Sequence, residues 1–407
     1  MNSSDSYQLS RRDCDFLRVV ASVLVIVTHC VHTWVVDFYN LRSFWSLGFF
    51  ATIVDQCVRF TVPVFFFLSG FGLTSQLLKG PKAPNALPGP PKLSVFYRTR
   101  LPKIVVPFLV WSAITSYRHM AYFRELPWRS APETAVWHFL KLLFVYGFDY
   151  QYYFLIILFQ FYLIFPFICR WMRRGWVVGL VFLTQLIFMM PSDDLLGLIG
   201  WHLPAVGSSL FVLYGFYFCI GIYAAWHPDF LAGILGRLSR SQALIFWLGS
   251  LALLVAEFYV NIQRGKGLDN SDHFNRWAVI LYCIASFVLF MKSKDWLSAH
   301  VHKNPHWNFL YAGMAPFTFF IYLVHTNVLR WVTALCGDVT VWDFANRIFL
   351  VVAGSYVLTW VIQWLLKNCP SFRYALGLPK EPLRLADLPG YSLLTKSRGT
   401  SENLTKE

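Results

Sequence analysis

Long apolar runs alternate with polar or Pro/Gly-rich breaks along most of the chain. A helix crosses the hydrocarbon of a bilayer with about 20 apolar residues at ~1.5 Å rise per residue, and several runs reach that length. Because the bilayer core holds no water to satisfy the backbone, the runs are predicted to be helical. Ten helices are predicted, at roughly residues 16–36, 45–78, 103–123, 150–170, 175–191, 207–227, 241–261, 277–293, 310–335 and 344–367.

Two segments differ from a simple crossing. The second run, 45–78, is long for one crossing, and we expect it to bend at Pro63 or to begin as an interfacial segment. Residues 133–146 have apolar side chains at helical spacing together with Trp137 and Lys141. This pattern favours a helix that lies in the membrane interface.

Composition points to the same fold class. The chain has 407 residues, of which 57% are hydrophobic and 14% charged, and this excludes an ordinary soluble domain. We predict an all-α integral membrane protein with about ten transmembrane helices, divided into a transmembrane domain (1–370) and a polar cytoplasmic tail (371–407). The basic N-terminus resembles a secretory signal peptide. No small-x-small cleavage site follows, and His29 interrupts the run, so we interpret the segment as the first spanning helix.

The distribution of basic residues between loops predicts how the helices are oriented in the membrane. Lys and Arg outnumber Asp and Glu by 35 to 21, and in a chain this apolar the excess favours basic loops on one membrane face over nucleic-acid binding. With the ten helices in place, 24 basic residues fall on one side and 9 on the other. The more basic side is cytoplasmic by the positive-inside rule, so both termini are predicted to be cytoplasmic.

The first helix has a polar stripe. Arg18 and His29 are eleven residues apart, which is close to three helical turns, so their side chains share one face about 16 Å apart. Asp15 precedes Arg18 by three residues and His32 follows His29 by three, and Ser22 lies between. The stripe is predicted to face protein or a water-filled cavity, because ionisable groups at this depth are costly in lipid.

The histidines allow two interpretations. A neutral imidazole has a ring nitrogen that can accept a proton, which general-base activation of a hydroxyl requires. Intramembrane histidines also form hydrogen bonds between helices without any catalytic role. On these residues alone the two interpretations are about equally supported.

Five stretches together resemble the acyltransferase-3 family of transmembrane O-acyltransferases. The first, DFLRVVASVLVIVTH (15–29), matches the family's Asp-x-x-Arg followed by ten residues and a catalytic histidine. The others are RFTVPVFFFLSGFGL (59–73), YRTRLPKIVVP (97–107), YYFLIILFQFYLIFP (152–166) and TFFIYLVH (318–325), and they keep the family's order. Ten helices is also the family's architecture.

The chain departs from the family pattern at three places. The family's Arg-x-x-Arg is replaced by Arg98-x-Arg100 with Arg100-x-x-Lys103, and Tyr153 stands where tryptophan is common. The esterase-like domain that some members carry is not expected here. Transfer of the acyl group to such a domain would therefore need a separate protein.

The resemblance implies a reaction and its partners. The donor would be a cytoplasmic acyl-coenzyme A, most often acetyl, and the acceptor a hydroxyl of a cell-surface glycan or glycolipid. It implies a multi-pass protein of the cell (plasma or inner) membrane in contact with lipid. No permanently bound cofactor is expected. The eight scattered cysteines, with no Cys-x-x-Cys pair, indicate no zinc site.

The resemblance also implies roles for the polar stripe. His29 would be the general base, or else a transient acyl carrier, and Arg18, paired with Asp15, would position the donor. Arg98, Arg100 and Lys103 would bind the phosphates of the coenzyme, although anionic lipid is as good a partner for such a cluster.

Four further residues are candidates for substrate binding. Three of them also have a structural interpretation: Arg59 can pair with Asp55, the small residue Ser69 allows close helix packing, and His325 can serve helix contacts. His325 is also predicted to lie at the same mid-membrane depth as His29, where the two can share a cavity. Tyr153 is a candidate through its position in the family pattern. These alternatives stay open.

A transporter of glycans or small anions is the competing function, because a helix bundle with buried charge also suits a carrier. Many transporters show two related halves with Gly- or Pro-broken helices. The sequence does not show that symmetry, so the acyltransferase is the preferred interpretation.

Overall fold

The computed structural model describes residues 9–79, 91–189, 209–230, 235–268, 271, 274, 276–337 and 340–383. The secondary structure of these residues is helical, without strands. The α-helices are α1 Arg11–Leu41, α2 Leu47–Cys57, α3 Thr61–Leu78, α4 Leu93–Arg100, α5 Pro102–Thr115, α6 Met120–Glu125, α7 Pro132–Lys141, α8 Tyr153–Ile168, α9 Gly175–Met189, α10 Gly215–Trp226, α11 Arg240–Gln263, α12 Trp277–Leu297, α13 Pro305–Met314, α14 Thr318–Thr333, α15 Val341–Leu365 and α16 Pro370–Leu376.

The helices confirm an all-α membrane fold. By length and composition, seven described segments can cross a membrane: Arg11–Leu41, Leu47–Leu78, Tyr150–Ile168, Arg240–Gln263, Trp277–Val301, Pro305–Thr333 and Val341–Leu365. The predicted helices 175–191 and 207–227 correspond to shorter apolar helices, Gly175–Met189 and Phe211–Trp226. A total of about ten crossings and cytoplasmic termini stay predictions.

The predicted helix 103–123 is shorter than expected. α5 ends at Thr115, and a 3-10 turn, Ser116–His119, leads into α6. In that turn Arg118 donates to the buried carboxylate of Asp149 at 2.6 Å. Apolar composition alone could not locate this end, because the partner lies about 30 residues further along the chain.

The long second segment forms two helices, as the expected bend requires. α2 ends at Cys57 and α3 begins at Thr61, with a turn over residues 58–60. Pro63 has no N–H to donate to the carbonyl of Arg59, so the helical hydrogen bonding opens one turn before the proline. The bend therefore removes Arg59 from regular helix.

The described chain divides into two compact units. Of the described residues, the first contains those within 9–65, 228–370 and 378–383, and the second contains those within 66–227 and 371–377. The boundary falls within α3. The stripe of α1 thus belongs to the first unit and the basic segment before α5 to the second.

In the first unit, α1 packs against α2, α14 and α15. Its start is fixed by a capping box, in which the Ser10 hydroxyl accepts from the Asp13 backbone and the Asp13 carboxylate accepts from the Ser10 backbone. Asp13 is also 3.3 Å from Lys294 of α12. The opposite half of α1 is anchored in an apolar core that includes Val31, Trp34, Val35, Phe38, Ala51, Phe258 and Phe344. These contacts hold α1 in register at both ends.

The second unit has an aromatic core, and the backbones of α3 and α10 come into direct contact beside it. Phe161 stacks on Phe218 with ring centroids 4.4 Å apart. Near these rings, a Cβ at Gly70 of α3 would collide with the carbonyl oxygen of Phe218 in α10, and one at Gly221 would collide with that of Phe67. Glycine at both positions lets α3 and α10 approach closely, which is how small residues act between membrane helices.

We expect Gly70→Ala to destabilise the protein by roughly 1–3 kcal/mol, because backbone atoms cannot move aside as a side chain can. Gly179→Ala is the matched control, since a Cβ at Gly179 in α9 meets nothing within 4 Å. Thermal unfolding of both variants in detergent measures the difference. Equal melting temperatures for Gly70→Ala and wild type would contradict the close packing.

Packing continues beyond residue 371, where the sequence predicts the tail to begin. Arg373 of α16 is buried, and the Trp111 indole donates to the Leu376 carbonyl at 3.0 Å. In the first unit, the Leu383 backbone donates to Gln363 at 3.0 Å. Residues 384–407 of the predicted tail lie outside the described residues. All eight cysteines are free thiols, of which Cys369 is exposed and Cys57 and Cys336 are half-buried.

Candidate active site

The acidic and basic residues at the start of α1 form the pair that their spacing predicts. Arg18 donates to Asp15 at 2.7 Å, and their side chains are 39% and 25% exposed. Arg11, one turn before Asp15, lies 3.8 Å from the same carboxylate. Arg18 is therefore held by a neighbour and still open to contact with an anion from outside the protein.

His29 lies against a second histidine. Its ring stacks on that of His325 in α14, with centroids 5.3 Å apart and planes at 23°. The Tyr322 ring lies 5.9 Å from His325. The structure thus brings together two predicted site residues that are almost 300 positions apart in the chain. The side chain of His32, by contrast, is exposed.

The hydrogen bonds of His325 assign its tautomer. His325 is fully buried, and its Nδ1 lies 2.8 Å from the Tyr322 carbonyl and 3.2 Å from that of Ile321. A carbonyl can only accept, so Nδ1 carries the proton and donates. Nε2 is then the acceptor nitrogen, and no described residue forms a hydrogen bond with it. A buried acceptor without a donor is suited to take a proton from a substrate hydroxyl.

Two further polar side chains lie near the imidazole pair. His32 and Arg59 are close enough to act electrostatically on His29. Among the described residues, no three His, Cys, Asp or Glu side chains come together in a way that could hold a metal ion. The groups that the described residues offer at this place are the two imidazoles and the Arg59 guanidinium.

Arg59 pairs with Asp55, as the structural interpretation predicts. The Arg59 Nε donates to Asp55 at 2.9 Å, and Gln56 donates to the same carboxylate oxygen at 3.0 Å. Arg276 donates to Gln56 and lies 3.6 Å from Glu257. Two arginines and two carboxylates balance in this buried network. The sequence interpretation missed Arg276 and Glu257, although a glutamate inside an apolar run was a signal.

The basic segment belongs to the second unit. Arg98 and Lys103 are exposed, at the end of α4 and the start of α5, and Arg100 is half-buried and donates to Gln76. Arg98 and Arg100 lie in the last turn of α4, where cations interact favourably with the helix dipole. The exposed pair can reach an anion, whether coenzyme phosphate or lipid headgroup.

The remaining candidates, Ser69 and Tyr153, also lie in the second unit. Ser69 is half-buried and precedes Gly70, so it shares the close approach of α3 and α10. Tyr153 begins α8, is half-buried, and lies 6.4 Å from the Tyr214 ring. Substrate binding by either residue stays a prediction.

Comparison with known families gives one match, which covers most of the chain. The family described as "Acyltransferase domain" matches residues 11–364. Every predicted site residue, from Asp15 to His325, lies inside the matched range. No curated protein and no solved structure matches the chain.

Proposed function

This chain belongs to the acyltransferase family that residues 11–364 match, and we propose that this membrane acyltransferase moves an acyl group from acyl-coenzyme A to a glycan hydroxyl. The acyl group is acetyl in the simplest case. The donor comes from the cytoplasm, and the acceptor is a cell-surface or lipid-linked glycan. The protein then resides in the plasma or inner membrane of the cell.

The observation that carries this proposal is the stacked pair of His29 and His325. In the proposed reaction the acceptor oxygen attacks the thioester carbonyl and its proton passes to an imidazole. The carbon–sulfur bond breaks, and the coenzyme thiolate leaves and takes up a proton. His29 is the proposed base. The unpartnered Nε2 of His325 makes it a second acceptor at the same place.

Basic residues support the donor half of the proposal. Arg18 is part-exposed and fixed by Asp15, so it loses little side-chain freedom on binding an anion. The exposed side chains of Arg98 and Lys103 suit the phosphates of the coenzyme, for which guanidinium groups offer paired donors. Arg100, already bonded to Gln76, would help to fix the end of α4.

The function is tested by measuring esters on cell-surface glycans by mass spectrometry. Cells without the protein are expected to lose an acyl ester, which wild type restores and His29→Gln, at matched membrane levels, does not. Full restoration by His29→Gln would overturn the proposed mechanism. Unchanged esters combined with altered glycan export would instead identify a transporter.

A further inference from the structure

Another arginine, Arg347, lies buried beside α1. Arg347 of α15 is 2% exposed, and its guanidinium carbon is 4.3 Å from the centroid of the Trp34 ring. It donates to the Thr33 hydroxyl at 3.3 Å and to the Gly337 carbonyl at 2.9 Å. Its Nε donor is buried and has no hydrogen-bond partner among the described residues.

Arg347 lacks a carboxylate partner in the described part of the chain. The ion pairs there involve other arginines and lysines. Asp343, one turn earlier on α15, accepts from the backbone and hydroxyl of Thr340 and caps the helix start. Within the described residues, the close contacts of Arg347 are an aromatic face, a hydroxyl and a carbonyl. Such a buried cation is costly, and a bound anion would offset that cost.

Arg347 contacts α1 about one helical turn beyond His29 of the imidazole pair. Thr33 follows His29 by four residues on α1, so the two share a helix face about 6 Å apart along the axis. Arg18 lies about 16 Å from His29 in the opposite direction. Along α1 the order is therefore a part-exposed cation, two imidazoles, and a buried cation. If the donor binds on the Arg18 side, Arg347 faces the other reactant.

We propose that Arg347 binds an oxyanion carried by the acceptor, so that the acceptor is an acidic glycan or glycolipid rather than a neutral one. This inference rests on the proposed function and specifies its substrate class. The unpartnered Nε and the two Nη groups offer donors to a carboxylate or phosphate. Trp34 holds the guanidinium plane in place and excludes water from it.

The first experiment measures binding without turnover. Purified protein is melted in the presence of inorganic phosphate, glucuronate or uncharged glucose at constant ionic strength. Wild type is expected to be stabilised by at least one of the two anions and not by glucose, and Arg347→Gln to lose that stabilisation. Arg330→Gln, an exposed position on α14, is the matched control and keeps it. Equal anion effects in wild type and Arg347→Gln would overturn the proposal.

The second experiment measures transfer to membrane glycolipids separated into acidic and neutral fractions. We expect wild type to acylate the acidic fraction and Arg347→Gln to raise KM for it by at least about tenfold with kcat largely kept, while Arg347→Lys retains part of the affinity. Methylation of the carboxylates and enzymatic removal of the phosphates of the acidic fraction identify which of the two anions Arg347 binds. Equal acylation of the neutral fraction would overturn the inference and leave the proposed function intact, whereas transfer to neither fraction would refute both.

Discussion

Acyl transfer by His29→Gln is expected to be roughly 10²- to 10⁴-fold slower than by wild type, because glutamine keeps a polar side chain but cannot accept the proton. The protein is still expected to fold and to reach the membrane, since His29 is only half-buried. The measurement is release of coenzyme thiol from labelled acyl-coenzyme A in isolated membranes, at matched protein levels.

A neighbouring histidine provides the control for this experiment. His32 lies on the same helix, three residues later, but its side chain is exposed. His32→Gln removes an electrostatic neighbour of His29 but not the proposed base, so it is expected to lose far less activity than His29→Gln. Unimpaired transfer by His29→Gln, or an equal loss in His32→Gln, would contradict a special role for His29.

His325→Gln extends the same prediction to the partner ring. The stacked rings are expected to act as a unit, so the double variant should be no slower than the slower single variant. Independent losses that multiply would instead indicate separate roles. A large loss in His325→Gln accompanied by a lower melting temperature would assign that ring to helix packing.

Asp55→Ala is expected to cause the largest loss of stability among these variants, about 3–5 kcal/mol, because it leaves Arg59 buried without its counter-charge. Arg59 is 5% exposed and Asp55 1%. The same change also removes the carboxylate that accepts from Gln56. Thermal unfolding of the detergent-purified protein measures the effect.

The part-exposed pair at the start of α1 supplies the comparison. Asp15→Ala breaks a part-exposed ion pair between residues three apart and is expected to cost roughly 0–1 kcal/mol, because water already screens it. In the double variant Asp55→Ala/Arg59→Met, part of the stability should return. If Asp55→Ala melts like wild type, Asp55 does not stabilise the buried charge of Arg59, which would contradict the structural interpretation of this pair.

Local spacing predicted the contacts within single helices. The Asp15–Arg18 and Asp55–Arg59 pairs follow from the three- and four-residue periodicity of a helix, and both are present. The bend in the second segment follows from the missing N–H of Pro63. These predictions succeed because their causes lie within a few residues of one another.

Contacts between distant helices needed more than periodicity. His325 entered the set of candidates through a resemblance to a family, and its predicted mid-membrane depth allowed it to share a cavity with His29. Periodicity within its own helix could not show that the two rings stack. The predicted helices left Arg276 in a loop and placed Arg347 in the first turn of the last helix, yet both are buried. Hydropathy cannot tell a solvated loop from the buried end of a helix, because both have polar residues beside an apolar run.

Two free thiols at opposite ends of α15 can report on which face of the membrane each end lies. Cys369 is exposed four residues after α15, and Cys336 is half-buried before the start of that helix. α15 has 25 residues, so the two thiols flank a segment of about 37 Å, which exceeds the hydrocarbon thickness. A maleimide that cannot cross the bilayer therefore distinguishes the two faces without any engineered cysteine. The orientation of both termini can then be determined on the unmodified sequence.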